Sequence, residues 1–253
     1  MKNAAVYHSA VFFDLDGTLI EGPFGVGVWP NVLDDLARKT GLERRALYDQ
    51  IVAENERRQA DEGCPAVLAM DWDDIIAAIA GRLGVRPEYS VRELAAAYAG
   101  QSRVLDDGAR VLRGLAAPGR ALVVATKGLA KYQRPVLDTL ALTPLFDAVL
   151  TPDVHGALKK HRAFFGGWPE RARLCIMVGD RYDDDVEAPA GYGFKTVWKI
   201  SDLPDSRRAF DPFERARRYP YTPQQPIPAD AIIVSLDELP GVIGRLEKSL
   251  IQT

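Results

Sequence analysis

A chain of 253 residues, 47% hydrophobic and 26% charged, is long enough to bury one large core or two smaller ones. Its net charge of -3 gives no global attraction for nucleic acid or an anionic membrane surface, so any anionic ligand must be held by a local site. No stretch approaches the apolar length of a membrane span, and MKNAAVYHSAVFF at the N-terminus lacks the apolar run of a signal peptide, which predicts a cytoplasmic protein.

The first predicted element ends in VFFDLDGTLI, Val11 to Ile20. Val11, Phe12 and Phe13 read as the end of a fully buried strand that runs directly into Asp14, Asp16, Gly17 and Thr18. Ligands bind at the carboxyl ends of strands in open α/β sheets, so these two acids stand where chemistry is expected and not where packing needs charge. Next comes EGPFGVGV, Glu21 to Val28, which is rich in glycine and reads as a loop and hinge. Helical spacing then takes over: Val28, Val32, Leu33 and Leu36, stopping at Gly41; Leu47 and Ile51; and Ile75, Ile76, Ile79 and Leu83 after Asp71. Ser90 with Glu93 has the form of a capping box opening a further helix through Leu94 and Tyr98. Residues 21–105 are therefore predicted to be a helical insertion, flanked by a core of residues 1–20 and 106–253.

From there short apolar runs alternate with helix-length segments, which predicts a parallel sheet with covering helices. The runs are Ala121 to Ala125, Phe146 to Leu150, Leu174 to Val178, Phe194 to Trp198 and Ala231 to Val234. Cys175 falls inside one of them and suits a buried thiol better than a disulfide partner. The polar residues that follow the runs are Thr126, Lys127 and Gly128, then Lys159 and Lys160, then Gly179-Asp180-Arg181-Tyr182-Asp183-Asp184-Asp185. An acid pair, a hydroxyl, a lysine and an acid cluster are thus expected to converge on one edge of the sheet.

This pattern resembles the haloacid dehalogenase superfamily, in a branch with a helical cap and a Rossmann-like α/β core. DLDGT at Asp14 to Thr18 matches its first motif, Thr126 its second, Lys159 its third, and Gly179-Asp180 with Asp184 and Asp185 its fourth. The family lysine is often followed by proline; here Lys160 follows. Lys159 is the better match because Phe165 then falls where the family has its downstream phenylalanine, with Lys160 as the alternative. The resemblance implies that Asp14 is a nucleophile forming an aspartyl-phosphate and that Asp16 is the acid and base. It also implies Mg²⁺ held by Asp14, the backbone carbonyl of Asp16 and Asp180, with phosphate oxygens on Thr126 and the neighbouring Lys127 and Gly128 backbone. Lys159 would balance the charge. So many acids beside a phosphate require a hard cation, and oxygen-only ligands suit Mg²⁺. Asp184 and Asp185 compete for the second acid of the fourth motif, with Asp185 preferred and Asp184 as outer support. Asp183 is expected to face solvent, and Arg181 to pair locally within this acidic cluster.

Asp16 favours a phosphatase, since dehalogenase and phosphonatase branches generally lack an acid there. A phosphomutase of the same superfamily and a noncatalytic phospho-acceptor or binding protein are the alternatives. A small phosphorylated metabolite is the expected partner, without nucleic acid or membrane. Phe24, Trp29, Arg57 and Arg58 are candidate contacts to a leaving group, against the alternative that they are core or solvated face. Ser201 to Pro228 is longer and richer in proline and arginine than a sheet connection requires.

Overall fold

The computed structural model describes residues 6–203, 211–216 and 227–249; most of the Ser201 to Pro228 segment lies outside them. The strands are β1 (Tyr7–Phe13), β2 (Ile20–Glu21), β3 (Arg103–Val104), β4 (Arg120–Ala125), β5 (Ala148–Leu150), β6 (Ala172–Gly179), β7 (Lys195–Lys199) and β8 (Ala231–Ile233). Among the described residues, six of them form a sheet in the order β5-β4-β1-β6-β7-β8, with every pairing parallel. Taken in chain order this is the 3-2-1-4-5-6 arrangement of a doubly wound Rossmann-like sheet, and its direction reverses between β1 and β6. The acids after β1 and after β6 therefore flank the switch point, where the diverging crossovers leave a crevice.

Helices cover both faces, so the strands are apolar on both sides. Alternate residues of β1 divide accordingly: Val11 and Phe13 join one core with Val124, Ile176, Val178 and Leu112. Ala10 and Phe12 join the other with Val123, Met177, Phe165 and Phe194. Two predicted strands begin later than their apolar runs. Phe146 closes a turn by donating its amide to Thr143 O, and the Phe194 amide reaches back to Pro189 O, so each ring packs before its strand starts.

Between β2 and β3 lie five helices, α1 (Trp29–Thr40), α2 (Arg44–Ala60), α3 (Ala66–Ala69), α4 (Trp72–Arg82) and α5 (Val91–Ala97), and α6 (Gly108–Leu115) follows β3. Asp71 caps α4 by accepting from the amides of Asp73 and Asp74, and Ser90 caps α5 by accepting from that of Glu93. Val32, Leu36, Leu47, Ile51, Ile75, Ile76 and Ile79 form a separate core for this segment.

The glycine-rich stretch is not the loop expected from its composition. Ile20 and Glu21 pair antiparallel with Val104 and Arg103, tying the two connections into one ribbon. Phe24–Val28 then winds into a helical turn that runs into α1, with the Gly27 amide bonded to Pro23 O at 2.8 Å. A Cβ at Gly27 would lie 2.2 Å from the Tyr98 ring, so close packing requires glycine at this position.

Candidate active site

The turn after β1 is held from three directions. The Asp14 amide donates to Val178 O on the neighbouring strand, Gly17 N to Ile20 O, and Thr18 Oγ1 reaches Asp180 Oδ1 at 3.2 Å. Gly17 adopts φ 84°, and a Cβ there would sit 2.7 Å from Asp180 Oδ2. Only glycine lets the turn approach Asp180 this closely. Beneath the turn, the buried Lys199 bonds Thr18 O at 3.0 Å and pairs with Asp106 at 2.9 Å. Asp106 and Asp107 have φ of 48° and 50°, so the chain is strained where it re-enters the core after β3.

Lys159, 1% exposed, places its ammonium 2.6 Å from Asp14 Oδ1 and 2.7 Å from Asp185 Oδ1. Lys160 instead faces outward and donates to Gln59 O at 2.7 Å. One oxygen from each of Asp14, Asp180 and Asp185 lies within 4.8 Å of the others. Asp185 is fully buried and also accepts from the Arg181 amide, while Trp198 Nε1 anchors the Asp180 carbonyl at 2.8 Å. Asp184 joins the adjoining layer, bonded to Lys127 at 2.8 Å and Arg181 at 3.3 Å. The structure therefore groups Asp185, and not Asp184, with Asp14 and Asp180.

The Asp16 carboxylate points elsewhere: Gln133 Nε2 of α7 (Ala130–Thr139) donates to its Oδ2 at 2.8 Å, and it opens into the cavity. Thr126, at the end of β4, is buried, and its Oγ1 accepts from the Gly128 amide. Gly128 and Lys127 line the same cavity.

Burial dominates the electrostatics. It pushes Asp14 up to about 6, opposed by Lys159 and reinforced by the charge of Asp180. Burial and Asp185 bring Asp180 to about 6, and burial takes Asp185 to about 7 despite Lys159. Asp16 is also raised, by its confinement, with the Gln133 hydrogen bond acting against the rise. Asp184 differs: burial works against its charge, but Lys127, Lys159 and Arg181 hold it below the usual carboxylate range. One ammonium cannot neutralise the group around Asp14. Three hard oxygen donors left short of positive charge fit a divalent cation such as Mg²⁺.

One sequence expectation is corrected here, that for Asp183, and for Arg57 and Arg58 the alternative of solvated face or core is the one found. Asp183 does not face solvent: its side chain is 10% exposed and bonded to Arg181 at 2.7 Å. Arg57 pairs with Glu54, and Arg58 is buried against Glu54, Asp74 and Leu68 O, so neither lines the cavity. Arg58 joins α2 to α4 through Asp74, whereas Arg57 pairs within α2. Phe24 and Trp29 do line it, together with Tyr48, Met70 and Trp72, in a space of about 700 Å³ between the sheet edge and the helical segment.

Gln133, Lys199, Tyr48 and Trp72 escaped the sequence reading. Gln133 left one signal: it occupies a buried position of α7 beside Tyr132, Val136 and Leu137, where helical spacing calls for an apolar side chain.

The model of the haloacid dehalogenase-like hydrolases matches residues 8–193. The chain is 30% identical over 198 residues to a phosphoglycolate phosphatase of Caulobacter vibrioides, covering 71% of this chain and 74% of that one. It is 30% identical over 147 residues to a glyceraldehyde 3-phosphate phosphatase of Methanocaldococcus jannaschii, covering 55% and 56%. A solved haloacid dehalogenase-type phosphatase from Thermococcus onnurineus superposes with a TM-score of 0.67 at 25% identity, over 93% of this chain and 98% of that one. With the sheet order, the placement of Asp14, Lys159 and Asp180 and these matches together, the chain belongs to the haloacid dehalogenase-like hydrolases.

Proposed function

We propose that the chain is a Mg²⁺-dependent phosphatase of a small phosphorylated metabolite, working through an aspartyl-phosphate on Asp14. The observation that carries this reading is the separation of two neighbouring acids. Asp14 is turned onto Lys159 and the acidic group, whereas Asp16 is held apart by Gln133 and opens into the cavity.

An Asp14 carboxylate oxygen attacks phosphorus, and the bond from phosphorus to the leaving oxygen breaks as Asp16 gives that oxygen a proton. Water then attacks phosphorus, Asp16 takes its proton, and the Asp14–phosphorus bond breaks to release phosphate. Lys159 balances charge on Asp14 throughout, and Thr126 with the Lys127 and Gly128 backbone holds phosphoryl oxygens. Asp14, Asp180 and the Asp16 carbonyl would hold Mg²⁺, with Asp185 in support; the bound cation supplies the remaining neutralisation of carboxylate and phosphoryl charge.

In this reading residues 21–105 act as a cap, joined to the core through the β2–β3 ribbon and closing over the site to exclude bulk water. Among the described residues no helix is long and apolar enough to cross a membrane, and Cys64 and Cys175 are free thiols, which supports a cytoplasmic setting. The test is hydrolysis of p-nitrophenyl phosphate: EDTA should abolish it and Mg²⁺ restore it. Full turnover in chelator would sink the proposal.

A further inference from the structure

We infer that the preferred substrates are phosphate monoesters whose leaving group is an aromatic ring or a similarly flat apolar body. This rests on the phosphatase reading for the direction in which the ester lies, with phosphate at Asp14 and the leaving group toward the helical segment.

Across the cavity from Asp14 and Asp16 stand Phe24, Trp29, Tyr48 and Trp72, drawn from the turn before α1, α1, α2 and α4. Trp29 is their hub, with ring centroids 5.1 Å from Trp72, 5.6 Å from Tyr48 and 5.8 Å from Phe24. The rings therefore form a continuous wall. They lie at the margin of the core of the helical segment, with Phe24, Trp29 and Trp72 packed against it, and stop short of full burial. Val32 and Leu36 of α1, Leu47 and Ile51 of α2, and Ile75 and Ile76 of α4 are buried inward, while the four rings on neighbouring helical positions stay half-buried and line the cavity. Apolar area of this size, held open opposite the reacting acids, gains free energy when another apolar face covers it.

Charge on the wall points the same way. The cations lining the cavity among the described residues already have carboxylate partners: Lys127 with Asp184, Arg181 with Asp183 and Asp184, and Arg103 with Glu21. The buried Asn55 amide donates to Ala69 O and its oxygen accepts from Gln59. A leaving group that carries its own carboxylate would lose water here and meet no uncommitted cation, whereas an aryl group has little hydration to lose.

Benzyl phosphate and ethyl phosphate expel alkoxides of similar basicity and differ mainly in the ring, so their kcat/KM values compare the wall with little interference from intrinsic reactivity. Benzyl phosphate should exceed ethyl phosphate, phosphoglycolate and phosphocholine by at least about tenfold, equivalent to about 1.4 kcal/mol. The benzyl-to-ethyl ratio should collapse in Trp29→Ala, recover in Trp29→Phe, and fall in Tyr48→Ala should the first variant fail to fold. Equal or better turnover of ethyl phosphate, phosphoglycolate or phosphocholine would overturn the inference and leave the phosphatase reading standing. Calorimetric binding of benzylphosphonate against methylphosphonate separates the two in the other direction, because no ester is cleaved. A tenfold tighter benzylphosphonate supports the aromatic wall even where every ester proves inert, and equal affinities overturn it.

Discussion

Gln133 donates a 2.8 Å hydrogen bond to Asp16 across 117 residues of sequence, fixing the one carboxylate of the β1 turn that opens into the cavity without joining the group around Lys159. A base or acid must be aimed before it can act, and in the proposed mechanism this amide would do the aiming for Asp16. Gln133→Ala should lower kcat for an alkyl phosphate by roughly five- to tenfold, the worth of one such hydrogen bond, while Mg²⁺ binding measured by calorimetry stays as in the parent. A loss of Mg²⁺ affinity equal to the loss of kcat would place Gln133 in support of the acidic group instead.

The two acids of the turn should fail differently. Asp14→Asn should eliminate turnover with the fold intact by circular dichroism. Asp16→Ala should cost on the order of 10²–10⁴-fold with a poor leaving group. With p-nitrophenyl phosphate, whose leaving group scarcely needs a proton, Asp16→Ala should show a burst of nitrophenol followed by slow turnover, and quenched protein should carry an acyl phosphate at Asp14. Undiminished activity in Asp14→Asn would refute the covalent route.

Cation binding should depend on pH with a definite sign. Asp14 and Asp180 titrate at about 6 and Asp185 at about 7 in the cation-free fold, above the usual carboxylate range, so ionising them as pH rises through that window costs the fold stability. A bound cation removes that cost and competes with the protons. Saturating Mg²⁺, worth about 2.7 kcal/mol at one hundred times Kd, should therefore raise Tm by several degrees at pH 8 and far less at pH 5.5. The same Tm gain at both pH values would contradict the linkage.

Lys131 of α7 pairs with Asp71 at 2.7 Å and Asp73 at 3.2 Å, and the Tyr132 hydroxyl donates to Asp71 at 2.8 Å, so the start of α4 is latched to the core beside the cavity. The pairs are partly exposed, each worth about 0.2–1 kcal/mol and weakened by salt. Lys131→Ala should raise KM by roughly two- to fivefold and remove part of its salt dependence. An unchanged KM at low salt would show that the proposed closure does not use this contact.

Glu54 is held down to about 2 by the Arg57 hydrogen bond, against the cost of its burial, and by Arg58. A depressed carboxyl stabilises the fold above its unfolded-state range and loses that contribution as pH falls toward about 2. Glu54→Gln should thus destabilise the chain by about 1–3 kcal/mol at pH 7, with the difference from the parent shrinking below pH 4 in urea titrations. A difference that persists unchanged into acid would mean the effect is packing and not charge.

The sequence by itself determined the α/β class, the helical segment after the first strand, the strand ends that carry the acids and the hydroxyl, and the connection after β5 that carries the lysine. These follow from local pattern: apolar runs fix buried strands, helical spacing fixes faces, and a parallel sheet gathers all its carboxyl ends on one edge. The tertiary structure decided what local pattern does not encode. Lys159 and Lys160 are adjacent in sequence, and only the turn before Phe164 sends one to Asp14 and the other outward. Asp184 and Asp185 differ by one step of the turn after β6, which brings one to Asp180 and the other to Lys127. The β2–β3 ribbon has two residues on each side, too short for any period to register, and it forms because the helical segment returns its ends to the same place. Trp29, Tyr48 and Trp72 carry no shared motif. They meet because the early turns of three helices, each packed by its own aliphatic residues, converge at the margin of the same core and face one cavity.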